Sequence, residues 1–592
     1  MSADSLVFDM SSQSEGTPSV FVKKDWLSIL DNQNQSYQGN QSVIDTSQLA
    51  NSNKYMNYRE AYLSVPLLLT ATSATLHATD AWKPATAATS ADYCFGLKNW
   101  YGSIIHSFTL DYNGTTIIQQ TPFVGMWNCF RLMTTLSYGD LLTQGSHMGF
   151  YPDTSTSWSL SQTAGLSGIG ITNNQNAANP LIVSGAFNSF ESQNVGLVKR
   201  QMNICYDADG LSAPAASAFS VLLTKNNAAQ AYKSYILTKQ DSTAAVYGVF
   251  QQAIMATIHL KHIHNFFERV PLLKGVFMKM TLNLNQSSST ITTTGGTTAV
   301  ATMTYTTTSP LGGVSPLMVA SSITGASAIN SPVFSNGSTR GLSVIGIAGE
   351  VYTLSVAVGR SCLNQAQSSI VGVAASALSG SISLYVPAYS FNPVFETSYL
   401  SSPVKRITYT DIYQYQVLNV AAGGNFNSLI TNGIANIKSV LILPYFTAVA
   451  SAAANTGILT SPILSPFDTA GAGTTSPLTL LTNFNIQISG QNAIYNTERY
   501  TYEQFLNQLY GQNAVNGGLT DGLTSGLIDQ LAFENNYGYY YVNVGRMLPV
   551  EEAVPKSVNV IGQNLSAYAI DLFVFIEYGV EVSVDILTGA RV

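Results

Sequence analysis

The stretch IDLFVFIEYGVEVSVDI, residues 570–586, decides the fold class of this 592-residue chain. Ile570, Leu572, Val574 and Ile576 alternate with Asp571, Phe573, Phe575 and Glu577, and Val580, Val582, Val584 and Ile586 resume the period after Gly579. Successive side chains of an extended chain point to opposite faces, so a period of two marks strands. The pattern predicts two long, mostly buried strands near the C-terminus.

The same period recurs elsewhere. Met278, Met280, Leu282 and Leu284 alternate with Lys279, Thr281, Asn283 and Asn285, and Phe108, Leu110 and Tyr112 alternate with Ser107, Thr109 and Asp111. Asn113-Gly114 then supplies the positive-φ pair of a tight hairpin before Thr115–Gln120. Helical signals are short: Phe123–Leu136, Ile263–Val270 closed by Pro271, and Tyr502–Tyr510 closed by Gly511. Between these elements run Ser/Thr/Gly/Ala-rich stretches, Asp140–Asn194, Ser287–Arg340 and Thr447–Ser476, longer than compact-domain loops and read as surface insertions. No repeat of 20–50 residues is visible, which disfavours propellers and solenoids.

The length calls for two large domains rather than one core. Charged residues are 10% of the chain, against roughly 25% in ordinary soluble domains, while 46% are apolar and the net charge is −7. That composition excludes disorder and describes a subunit with permanent, charge-poor contacts. Without a Lys/Arg run, contact with nucleic acid is expected to be weak. Cys94, Cys129, Cys205 and Cys362 lie far apart and fit no zinc spacing; they are expected to be reduced thiols of a protein assembled inside a cell. The start, MSADSLVFDM, has no basic n-region or apolar h-region and is expected to lack a secretory signal. Ser439–Phe467 carries no charge, but Pro444, Pro462, Pro466, Asn455 and Gly457 interrupt it, against a membrane span.

Three segments resemble the double jelly-roll major capsid proteins of polinton-like viruses and virophages, in the adenovirus-hexon-like lineage. LKHIHNFFERVPLLKG (260–275) with the strand Val276–Asn285 is similar to the end of that family's first roll. NFNSLITNGIANIKSVLILP (425–444) is similar to the middle of its second roll, and RMLP (546–549) with VPKSVNVIGQN (554–564) to its C-terminal end. The resemblance implies an all-β fold of two consecutive eight-stranded jelly rolls with short crossover helices and long surface loops. Division near residue 290 gives an N-terminal arm at 1–45, a first roll at 46–290 and a second at 291–592. It further implies a homotrimeric, pseudo-hexagonal capsomer in an icosahedral virion capsid around double-stranded DNA, assembled inside the host cell. Its partners would be neighbouring capsomers, a pentameric single jelly-roll vertex protein and minor capsid proteins, with at most weak contact with DNA or an inner membrane. Some relatives carry a C-terminal extension removed by a viral protease; ILTGARV (586–592) follows the last strand directly, so either that extension is absent or the sequence describes the mature product.

No catalytic, metal or cofactor residue is expected. GxSxG, Walker and HExxH patterns are absent. His259, His262 and His264 form the most ligand-like group, yet sit at a strand-to-helix transition and are read as structural. Glu551 and Glu552 are adjacent, so on a strand they would face opposite ways, and a solvated turn before Pro555 is expected. Gly471-Ala-Gly473 lacks the Lys-Ser/Thr of a phosphate loop and is read as a loop tip; the sequons at Asn34, Asn40, Asn113, Asn285, Asn336 and Asn564 are read as chance, Asn113 belonging to its turn. Lys23 and Lys24 beside Trp26, Leu27, Ile29 and Leu30 suggest an arm that packs on a neighbouring subunit or on the inner face, and Tyr151 and Trp158 suggest outer-loop contacts. A carbohydrate-binding adhesin, gripping sugar with Trp127 and Trp158, is the alternative, followed by a polysaccharide-degrading β-sandwich that would need paired carboxylates.

Overall fold

The computed structural model describes residues 19–33, 37–73, 90–152, 234–240, 246–295, 300–321, 343–347, 351–359, 380–447, 463–464, 473–476, 479–494, 499–516, 526–535, 537–544, 549–566, 568–586 and 590–591. Sixteen of its strands form two copies of one pattern. The first copy comprises β1 (Phe21–Leu30), β2 (Gln41–Asp45), β3 (Tyr62–Ser73), β4 (Ile105–Tyr112), β5 (Thr115–Ile118), β6 (Val246–His259), β7 (Met278–Leu284) and β8 (Ser383–Phe391). The second comprises β9 (Val404–Val420), β10 (Asn425–Ile434), β11 (Ile437–Phe446), β12 (Leu481–Ile488), β13 (Gln491–Asn492), β14 (Tyr540–Asn543), β15 (Lys556–Asn564) and β16 (Ile570–Asp585).

Pairing in the second copy runs β9-β16-β11-β14 in one sheet and β10-β15-β12-β13 in the other. In the first, β1 pairs β8, β8 pairs β3 and β3 pairs β6, while the facing sheet runs β2-β7-β4-β5. Numbered within each copy, both read 1-8-3-6 and 2-7-4-5, the two nested Greek keys of a jelly roll. The fold is therefore a double jelly roll.

Residues 21–45, expected as an arm, instead supply β1 and β2: β1 lies antiparallel on β8 from Phe21↔Phe391 to Leu30↔Ser383. Pairing does not change near residue 290 either. Ser287–Gly295, expected to begin a loop and a new domain, is a strand paired with Val300–Thr308 and with Val351–Val358, which in turn pairs β3. Among the described strands, pairing passes from one roll to the other between Phe391 and Val404. The sequence pattern misled because 287–295 holds a single large apolar residue, Ile291, among Ser and Thr; β-branched Thr favours the strand while Ser and Thr hydroxyls pair across it, as Ser289 does with Thr307 at 2.8 Å. The last two expected strands are one, since β16 continues through Gly579 opposite Thr410.

The hairpin at Asn113-Gly114 forms as expected, with φ of 46° and 81°. Helices α1 (Val124–Thr135) and α2 (Tyr138–Met148) follow β5, and α3 (Leu260–Ile263) and α4 (Phe266–Arg269) lie between β6 and β7. The helix expected over 263–270 breaks because His264 is extended, at φ −153°. Helix α5 (Pro393–Leu400) occupies the joint between rolls, and α6 (Tyr502–Asn516) lies between β13 and β14. No helix among the described residues is long and apolar enough to cross a membrane.

Candidate functional site: the seam and the sheet edges

The two rolls meet along a buried seam. Strand β9 offers Tyr409–Ile412, and the first roll offers the chain leaving β5 together with His264 and Asn265 between α3 and α4. Asp411 is 2% exposed and accepts four donors: the Ile412 N–H (2.8 Å) and His264 Nε2 (3.4 Å) on Oδ1, the Gln119 N–H (3.3 Å) and the Tyr578 hydroxyl (3.2 Å) on Oδ2. His264 Nδ1 accepts the Phe266 N–H at 3.2 Å, which fixes the tautomer that donates from Nε2. A buried carboxylate is tolerated only when so satisfied. Burial first, and the Asp411 charge second, raise the Tyr578 and Tyr409 hydroxyls above their ordinary range, so both stay protonated as donors. Thr121 Oγ1 donates to the Ile412 carbonyl at 2.7 Å, the Thr410 N–H donates to Asn265 Oδ1 at 3.2 Å, and the Tyr409 hydroxyl donates to the Ile117 carbonyl.

A second, aromatic contact lies beside this polar one. Helix α1 belongs to the first roll but lies against strands of the second. Phe123 meets Phe573 edge-on with centroids 5.0 Å apart, Trp127 approaches Phe575 at 6.3 Å, and Phe130 stacks on Tyr541 at 5.4 Å. The Leu527 N–H donates to the Met133 carbonyl at 2.9 Å. Gly473, expected at a loop tip, is buried here at φ +96°; a Cβ on it would strike Cys129, itself a buried thiol that accepts from Asn99 Nδ2. Phe573 and Phe575 occupy the face of β16 opposite Val574 and Ile576, so both faces of that strand are dry for different reasons. Aromatic residues at the alternate positions of 570–577 were the sequence signal for this contact, and periodicity alone did not read it.

The sequence-marked residues land as follows. Lys23, Lys24 and Trp26 all lie on edge strand β1. Asp25 is bridged by Lys23 (3.1 Å) and Lys54, and Lys24 pairs with Glu60 while lying over the Trp26 and Tyr389 rings. Those two carboxylates offset two of the three ammonium charges. Trp26 is 49% exposed, and Val22 and Leu30 on the same strand are 69% and 63% exposed. Strand β9 likewise exposes Val404, Tyr413, Tyr415 and Leu418, and β10 exposes Leu429. Tyr151, expected on an outer loop, is half-buried against the core; Trp158 lies outside the described residues. Trp127, the sugar-binding candidate, is buried in the seam. The histidine group divides: His264 serves the seam, whereas His259 and His262 lie near each other with His147. Glu552 ends a short helix and accepts from Lys438 at 2.9 Å. Asn285 and Asn564 are buried, Asn564 Nδ2 donating to three carbonyls.

The cavity lined by Lys98, His106, Phe123, Met126, Asn285 and Ser315 measures about 20 Å³, room for roughly one water molecule and none for a sugar. No group of three ligand-type residues among the described ones could hold a metal ion.

No protein-family model and no curated protein matches the chain. Solved structures do. The cryo-EM structure of the Sputnik virophage aligns over 98% of this chain and 90% of its own, at 12% identity and a TM-score of 0.44. The mavirus major capsid protein aligns over 98% and 92% at 8% identity and 0.40, and the Faustovirus major capsid protein over 97% and 94% at 9% identity and 0.42.

Proposed function

We propose that the chain is a major capsid protein whose two rolls stand side by side in a homotrimeric, pseudo-hexagonal capsomer of an icosahedral shell. The observation that carries this reading is where the insertions leave. Every long connection follows an odd-numbered strand: 74–104, 119–245 and 285–382 in the first roll, 447–480 and 493–539 in the second. Connections after even-numbered strands are shorter, none running beyond 260–277, and they fall to two residues at 113–114, 435–436 and 489–490. Neighbouring strands are antiparallel, so odd-numbered strands end at one end of each sandwich. A sandwich with one elaborated end and one plain end suits a shell with an outside and an inside.

The seam supports this reading by fixing the rolls as one block, and the exposed apolar residues on edge strands β1, β9 and β10 supply lateral contact surface of the kind that obligate partners cover. Domain limits that follow the pairing are 21–391 and 404–585. The paired lysines favour Val22, Trp26 and Leu30 as contacts to a neighbouring subunit rather than to DNA. Vertex and minor proteins, and assembly within a host cell, belong to the same proposal, as does the absence of catalysis.

Native mass measurement and negative-stain imaging of the purified chain test it. Trimers and hexagonal particles are expected; a chain that stays monomeric at high concentration would refute it. Val22→Asp with Trp26→Ser should abolish particles while leaving the unfolding midpoint of the isolated chain nearly unchanged. Saturable glycan binding by such a monomer would point to an adhesin instead.

A further inference from the structure

Where β6 ends, three imidazoles converge from three elements. His147 lies in the last turn of α2, His259 ends β6, and His262 lies in α3. His147 Nε2 faces His259 Nε2 at 3.1 Å, and the His262 ring stands edge-on to His259 with centroids 6.0 Å apart. Two imidazole nitrogens at that separation share a single proton: one donates and the other accepts. A second proton places two N–H groups head to head. His259 Nδ1 and His262 Nε2 are buried with no hydrogen-bond partner, so neither ring has an acceptor waiting for an added N–H.

Every facing charge is unfavourable to protonation. From α3 comes Lys261, from α2 His147, and from α1 Arg131, whose own carboxylate partner is Glu268 on α4 at 3.2 Å. Tyr62 of β3 contributes a neutral ring 5.6 Å from His259. Burial first, then these cations, lower His259 to about 4 and His262 to about 3.

We propose that this cluster is an acid-released latch holding α2 against the end of β6. It concerns the single chain and stands whether or not the chain assembles. The sign follows from linkage. Released rings bind protons near pH 6.5 and the latched rings only below about 4, so latching is complete above pH 6.5 and weakens as pH falls through that window. The start of α2 stays capped meanwhile, because the Asp140 carboxyl is held below its ordinary value by its hydrogen bonds to Ser137. Release would also free the chain of tilted rings that runs from His259 through Tyr62 to Trp26 on β1, with centroids 5.6 and 5.7 Å apart.

Amide-exchange protection of the full chain, corrected for intrinsic rates, tests it between pH 7.5 and 4.5. Peptides covering 138–148 should lose protection by about tenfold or more while those of β16 keep theirs. His259→Gln/His262→Gln should hold the α2 loss within about threefold, because neither amide titrates. If circular dichroism at pH 7.5 shows that variant unfolded, His147→Gln, at an exposed position, replaces it: its amide oxygen accepts the proton His259 gains, shifting the loss to lower pH. Unchanged α2 protection in the natural chain, or an equal loss in the folded variant, overturns the latch.

Discussion

The first and second rolls share one strand order and spend their residues differently. In the second, β16 pairs β9 along almost its whole length and β11 on its other side, and from Leu572 to Ile576 it is dry on both faces. The first roll carries the larger insertions, including a polar hairpin that extends its own sheet past β3, and sends α1 out to cover its neighbour. One roll is the platform and the other supplies the cover. Stability should therefore be more sensitive to changes where the cover meets the platform than to changes at any exposed loop.

The largest effect is expected from Phe130→Ala, which removes a fully buried ring between Tyr539 and Tyr541. A loss of about 3–5 kcal/mol in denaturant unfolding is expected, with calorimetry separating into two transitions as the rolls uncouple. A single sharp transition in that variant would show that the rolls are coupled elsewhere. Asp411→Ala comes next, stranding the Gln119 N–H, His264 and the Tyr578 hydroxyl; about 3 kcal/mol should be lost. Asp411→Asn, which keeps one acceptor oxygen, should lose less. Gly473→Ala combines a left-handed backbone with a clash against Cys129 and should cost about 1–3 kcal/mol. Gly114→Ala, with open space around its Cβ, isolates the backbone cost at about 1–2 kcal/mol. Lys24→Ala on exposed β1 should change stability by less than about 1 kcal/mol, and a larger change would mean that this edge strand anchors the first roll.

What the sequence made legible follows from burial. Strands with one wet and one dry face, such as Met278–Leu284, announced themselves, as did the Asn113-Gly114 turn, whose backbone few residue types tolerate. The strand at 287–295 did not, because Ile291 alone among Ser and Thr leaves little contrast to read. The pairing of β1 with β8 was hidden differently, since an eighth strand that returns to pair with the first after a long excursion leaves no local mark. The seam was hidden for another reason. Asp411 resembles any polar residue on a strand until Gln119 and His264, far away in sequence, supply its donors. Only the aromatic alternates Phe573 and Phe575 hinted that something lay on the outer face.

Because each roll's first and last strands are partners, the chain enters and leaves each sandwich at the same end. Phe21, the joint around α5 and Asp585 thus share the plain end, opposite the insertions. For an engineer this separates two addresses on one molecule. A peptide fused just after β16 would leave the fold at one end, while one spliced into 447–472, short of Gly473 in the seam, would leave it at the other.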